Sequence, residues 1–547
     1  MKIKRNILVT SALPYANAPL HIGHFVEYTQ TDIWVRFHRI NGHNCTYICA
    51  SDAHGTPTML RAEKDGIAPE KLVEINASSH LEDFKKFKIS VDNYVTTHVN
   101  ENKEATEEIY RLLKENNFIY KKKIQQSFDN KKNMFLPDRY VKGTCPFCKA
   151  EDQYGDSCEN CGATYSPMQL IEPISVISNT TPTVKESEHI FFKLSDFEKE
   201  LKSWVAEHID STLVNKLDEW FKDGLKDWDI SRDAPYFGFE IPDENKKYFY
   251  VWFDAPIGYI GSYLNYLNNN KNQKFDEFWK SEENTELYHF IGKDIVYFHT
   301  LFWPAVLSGA GYRKPTGVFV HGFLTIDGKK MSKSKGTFIQ ASTFAKNFDP
   351  DFLRYYFAAK LGPNADDLDL NMDDFIARIN SDLVGKLINI ASRCSGFIHK
   401  FNNGNLSENI DDKKIIKLFS EKSDLIEKSY IERNYAQAIR DIIQLADLAN
   451  QYIDENKPWV LAKDPKQVNK VVEISTIALN LFRILIIYLK PVIPGIAERC
   501  ELFLNEKNMN WSDKDKILAG SKINTYKNII ERIDKDQTDK LIEESKL

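Results

Sequence analysis

Residues 1–51 read as strand, turn, helix, strand, and that order narrows the fold sharply. "NILVTSA", centred on Ile7-Leu8-Val9, and "NCTYICA" are short, continuously apolar runs, the pattern of strands buried on both faces. "HFVEYTQTDIWVRFHRI" lies between them and reads as an amphipathic helix. "HLEDFKKFKI" continues the alternation, which argues for a parallel α/β sheet over residues 1–115. Residues 116–230 break the pattern with turns, short strands and four cysteines. It returns in "KKYFYVWFDAP", "ELYHFIGKDI" and "PTGVFVHGFLT", so 231–325 is expected to complete a split sheet. Residues 326–380 follow as a connecting region. From about 381 to 547 the chain reads as a helical bundle. Within it Leu383, Leu387, Ala391, Cys394 and Ile398 recur at helical spacing as one buried face.

Composition excludes some classes. The chain has 547 residues, 42% hydrophobic and 27% charged, as expected of a globular protein with a large core. Its net charge of −6 argues against a general polyanion binder, although a local basic face remains compatible with RNA. The N-terminal apolar run is too short for a signal peptide. Arg483, Lys490, Pro491 and Pro494 interrupt the stretch Leu479–Ile496, so no membrane span is expected. Eight cysteines without a secretion signal point to the reducing cytoplasm.

Three clusters carry chemistry. His21 and His24 flank Gly23 at the start of the first helix, three apart and so on one face. A helix N-terminus attracts phosphate, and imidazoles there can bond an oxygen gaining charge. Alone, they also read as two surface histidines. "KMSKSKG" at 330–336 follows a strand-like run; alone it is a solvated basic loop. Taken together, His21 and His24 would hold one side of a triphosphate and Lys330 and Lys333 the other, stabilising charge that moves toward pyrophosphate. Cys145-Pro-Phe-Cys148 and Cys158-Glu-Asn-Cys161 form two CxxC knuckles, a ligand set for one structural Zn2+.

"HIGH" after the first strand and "KMSKS" about 300 residues later together resemble the class I aminoacyl-tRNA synthetases. The four-cysteine insert is short, whereas the leucine, isoleucine and valine enzymes carry a much larger one. The whole chain resembles the bacterial methionyl-tRNA synthetases with a single knuckle. That resemblance implies a split Rossmann-type catalytic domain with an inserted zinc knuckle, a 326–380 KMSKS and stem-contact region, and a 381–547 helical anticodon-binding domain. It implies ATP, with Mg2+, bound by Gly23, Asp294, Lys330 and Lys333. It places Asp52 on the methionine α-ammonium, and Ala12, Leu13, Tyr15, Trp252, Ala255, Pro256, Tyr259, Phe298, His299 and Phe302 around the rest of the amino acid. Without it, "VYFHTLFW" would read as a core helix. Asn389, Arg393 and Trp459 match the family's readers of the CAU anticodon in initiator and elongator tRNA(Met); otherwise they read as surface residues and a half-buried hydrophobe. Many relatives continue into a dimerising tRNA-binding domain. This chain ends at Leu547, so a monomer is expected. Two alternatives stay open: another class I specificity, such as cysteine or leucine, and a noncatalytic RNA-binding descendant.

Overall fold

A computed structural model describes residues 3–155, 157–158, 160–163, 165–281, 283–331, 337–411 and 413–546. Five strands form the central sheet: β1 (Asn6–Ser11), β2 (Asn44–Ser51), β3 (Asn93–Thr96), β4 (Glu286–Gly292) and β5 (Gly317–His321). They are all parallel, in the order β5-β4-β1-β2-β3. β1 pairs with β2 on one side and, across some 280 residues of sequence, with β4 on the other (Leu8 opposite Leu287). The chain therefore reverses its winding direction at β1. Ligands of open parallel sheets bind at such a switch, beyond the carboxyl ends of the strands.

The continuous apolar strands are explained by a core on each face. Ile7, Val9, Cys49 and Phe290 pack into one hydrophobic cluster, and Leu8, Ile48, Leu287 and Ile291 into the other. α1 (His24–Ile40) lies on the first face and α2 (Val251–Asn269) on the second.

Between β3 and β4 a long antiparallel ribbon, Ile119–Asp129 with Thr183–Phe192, carries the cysteine region at its far end. There Val141–Thr144, Gln153–Tyr154 and Ile171–Ser175 form a small three-stranded sheet.

The C-terminal bundle includes α3 (Asn389–Asn402), α4 (Tyr435–Asn456) and α5 (Val468–Leu489). Leu383, Leu387, Ala391, Cys394 and Ile398 are all fully buried, as their spacing predicts. The helix is not uniform, however: Ile379–Ile388 winds as π-helix before α3 begins. One helix, Pro465–Leu489, is long and apolar enough to cross a membrane, and its apolar window is wholly buried inside the protein.

α1 departs from its amphipathic pattern. Gln30, Thr31, Asp32 and Trp34 are buried with the apolar residues because the helical region covers the outer face. Trp34 Nε1 donates to the Ile431 carbonyl at 3.2 Å, and the Tyr435 hydroxyl donates to the Gln30 carbonyl at 2.9 Å. The Arg354 guanidinium bonds Asp32 at 2.7 Å and the Val492 carbonyl at 2.8 Å. Burial opposes ionisation of Asp32, but Arg36 and Arg354 overcome it and hold the carboxyl below its usual range. The helix that begins at His24 is thus clamped directly to the bundle.

Candidate active site

A cavity of about 570 Å³ opens at the switch point, within the range of small-molecule sites. β1 leads into Ala12, Leu13 and Tyr15, β2 into Asp52, β4 into Asp294 and β5 into His321, and all six residues line it.

His21, Gly23 and His24 form one wall. The two imidazole rings lie 3.8 Å apart. His21 Nδ1 accepts from the Gly23 N–H at 3.1 Å, and His24 Nδ1 accepts from the His21 N–H at 3.1 Å. These bonds assign the ring hydrogen to Nε2 in both. Burial lowers His21 to about 4 and pushes His24 well below the ordinary imidazole value. At neutral pH in the free protein the pair is therefore neutral and presents N–H donors rather than full charge.

The segment that follows the second signature is stitched to the first. Ile22 N–H donates to the Ile339 carbonyl and Ala341 N–H to the Leu20 carbonyl, each at 3.0 Å. Met331, inside the KMSKS pentapeptide, lines the cavity, and a Cβ on Gly23 would stand 2.5 Å from its Cε. The absent side chain at Gly23 accommodates this methionine. Lys330 closes a short strand with Lys329 against Leu324–Ile326; Lys333 lies outside the described residues.

Across the cavity, His299 Nδ1 donates to the Ile295 carbonyl at 3.1 Å, so Nε2 accepts from the Tyr259 hydroxyl at 2.8 Å. Burial lowers His299 to about 4 and raises Tyr259 well above its ordinary value. This neutral, oriented pair is one polar feature in an otherwise apolar pocket end formed with Leu13, Trp252, Ala255 and Pro256. Phe298 and Phe302 are placed differently. Phe298 stacks at 3.8 Å against Trp252, and Phe302 is fully buried edge-on to Phe192; neither lines the cavity. They support the wall from behind.

Asp52 sits just past β2, its N–H donating to the Pro14 carbonyl at 2.8 Å and its own carbonyl accepting from Ala16 N–H at 2.7 Å. Its Oδ1 is buried without a hydrogen-bond partner among the described residues. Burial, then the negative charge of Asp254, raises its carboxyl well above the usual range. A buried carboxylate without a counter-charge is expensive, and a ligand cation relieves it.

The four cysteine sulfurs lie within 4.8 Å of one another. Cys148 and Cys158 are 3.5 Å apart, Cys145 and Cys161 3.9 Å. A metal at about 2.3 Å from four tetrahedral thiolates would set them about 3.8 Å apart, so the donor set fits. In the bundle, Arg393 lies 4.9 Å over the Trp459 ring and bonds Asp454 at 2.5 Å. One turn earlier, Asn389 donates to Asn450 at 3.2 Å. Trp459 is 40% exposed. The three residues share one surface.

Residues 7–395 match the family model described as class I tRNA synthetases (M), and residues 404–544 match the anticodon binding domain of methionyl tRNA ligase. Methionine–tRNA ligases from three strains of Francisella tularensis subsp. tularensis are each 54% identical over 546 residues, covering 99% of this chain and 81% of theirs. The chain belongs to the class I methionyl-tRNA synthetases. Its activity is that of a methionine–tRNA ligase. Two structures of the Mycobacterium tuberculosis methionyl-tRNA synthetase, one in complex with methionyl-adenylate and one in the apo form, superpose with TM-scores of 0.79 and 0.73. They cover 96% and 98% of this chain, and 99% of their own, at 23% and 21% identity, a likeness of fold.

The synthetase's cavity also contains residues that sequence reasoning missed. Glu27 faces His321 at 3.2 Å, and its Oε1 is buried without a partner among the described residues. The signal was present for Glu27, which lies one turn after His24 on the same helix face. None existed for His321, which ends a strand 294 residues away.

Proposed function

We propose that this one cavity carries out methionine activation, with His21, His24, Lys330 and Lys333 acting on the triphosphate and Asp52, Tyr259 and His299 on the amino acid. The observation that carries this reading is that the two signature segments and the buried Asp52 carboxyl, whose Oδ1 has no partner among the described residues, converge on the same space. A methionine carboxylate oxygen attacks the α-phosphorus of ATP, the bridging P–O bond breaks, and pyrophosphate leaves with Mg2+. Charge builds on the leaving group, where Nε2–H donors and lysine ammonium groups stabilise it most. The thioether lies against the Tyr259–His299 pair, and aromatic walls favour sulfur. Asp294 and Gly23 complete the nucleotide site. The 2′-hydroxyl of the terminal adenosine of tRNA(Met), initiator or elongator, then attacks the adenylate carbonyl and releases AMP.

In this reading the domains divide at 115/116, 230/231, 325/326 and 380/381. Asn389, Arg393 and Trp459 read the anticodon, and the chain works as a cytoplasmic monomer. Pyrophosphate exchange should proceed with L-methionine and stay near background with L-cysteine or L-leucine. Exchange driven equally by either competitor would reject the specificity.

Cys145, Cys148, Cys158 and Cys161 would hold one Zn2+, a closed cross-link that ties the two knuckles together at the tip of the ribbon. Metal analysis should give about one zinc per chain, and Cys158→Ser should lose it, since four thiolates complete the site. Full metal content in that variant would place the ion elsewhere.

A further inference from the structure

Two residues outside the cavity connect its opposite ends. His54 Nδ1 meets Asp254 Oδ2 at 2.5 Å, and His54 Nε2 meets His98 Nδ1 at 2.9 Å. The His54 and Asp254 side chains are both 0% exposed. The His54 ring stands edge-on to Phe237 and Phe239, at centroid distances of 5.3 and 4.6 Å, which fixes its orientation. His54 follows Asp52 by two residues in the same segment, and its N–H favours the ionised form of the Asp52 carboxyl. The intervening Ala53 N–H donates to Thr97 Oγ1 at 2.9 Å. Asp254 belongs to α2, the helix that brings Trp252, Ala255, Pro256 and Tyr259 to the cavity. The His54–Asp254 bond therefore joins the segment holding the carboxylate to the helix forming the apolar end.

We propose that His54 and Asp254 are positioning residues that set the distance between the Asp52 carboxylate and the Tyr259–His299 end of the pocket, and so the side-chain length the synthetase accepts. The inference rests on the reading of Asp52 as the α-ammonium partner. An amino acid anchored at its ammonium reaches the Tyr259–His299 pair with its sulfur only if the gap matches its chain. Substrates with one methylene fewer or more between the α-carbon and sulfur, S-methyl-L-cysteine and L-homomethionine, probe that gap directly. Neither His54 nor Asp254 contacts substrate, so the effect should fall on methionine KM and on length selectivity rather than on ATP.

The test is pyrophosphate exchange with all three amino acids. His54→Ala and Asp254→Ala should each raise methionine KM about tenfold, the scale of a lost charge-assisted hydrogen bond, with ATP KM unchanged. Preference for methionine over S-methyl-L-cysteine should fall about tenfold, since one methylene is worth about ten- to two-hundredfold in such pockets. The double variant should lose no more than His54→Ala alone, because that change already removes the bond the two residues share. His54→Asn, which places an N–H near the former Nδ1, should restore most of the selectivity. If the alanine variants do not fold, Asp254→Glu lengthens the clamp by one methylene and should shift preference toward L-homomethionine. Unchanged length selectivity in the folded variants, or a fall in kcat alone, would overturn the proposal. If Asp52→Ala raises methionine KM while the His54 and Asp254 variants do not, the clamp fails alone. If Asp52→Ala also leaves methionine KM unchanged, the reading beneath it fails as well.

Discussion

Replacing Asp52 by alanine should raise the methionine KM about a hundredfold to a few thousandfold, because breaking a buried ion pair costs about 3–5 kcal/mol. The site prepares this dependence. The carboxylate is buried, its Oδ1 has no partner among the described residues, and the neighbouring Asp254 adds a second negative charge. In the proposed function a methionine ammonium neutralises that excess on entry, and in the variant it would enter without its direct counter-charge. Methionine titrated in pyrophosphate exchange at saturating ATP measures the effect. Because burial and Asp254 raise the Asp52 carboxyl, methionine affinity should weaken as pH falls through that raised value, where the carboxylate takes up a proton. A variant with near-normal KM would assign the ammonium to another acid.

The second large effect belongs to Trp459. Its replacement by alanine should cut aminoacylation of CAU-bearing tRNA roughly ten- to more than a hundredfold, the range expected from losing a base stack of about 1–3 kcal/mol. Pyrophosphate exchange without tRNA should be unaffected, because Trp459 follows α4 in the bundle and does not line the cavity. In the free protein the ring is not bare: Arg393 lies over it and is itself paired with Asp454. A base stacking on Trp459 would have to share or displace that guanidinium, which in the proposed function would bring Arg393 to the edge of the same base. Equal losses in both assays would mean that Trp459 supports the fold; unchanged charging would move anticodon reading elsewhere.

The features legible in the sequence were those written in local pattern. β1, β2, β4 and β5 follow from apolar runs, and the Leu383–Ile398 face follows from helical spacing. The cysteine cluster follows from two CxxC spacings. What the sequence hid was set by contacts between distant segments. α1 looks amphipathic, yet Gln30 and Asp32 are buried because Tyr435 and Arg354 reach them from the helical region and the segment leading into it. Phe302 belongs to the motif that carries His299 but points into the core, since one turn of helix cannot aim every aromatic at the ligand. His54 and Asp254, 200 residues apart, carry no mutual signal in a single sequence.

In the proposed function one cavity divides its labour: the His21–His24 wall would stabilise the transition state, and the Asp52 end would bind the amino acid. One measurement addresses it directly, namely single-turnover formation of methionyl-adenylate by His21→Ala across methionine concentrations. The maximal rate should fall about 10²–10³-fold, as when a preorganised donor to developing charge is removed, with the methionine dissociation constant nearly unchanged. A raised methionine dissociation constant at an undiminished maximal rate would contradict the account.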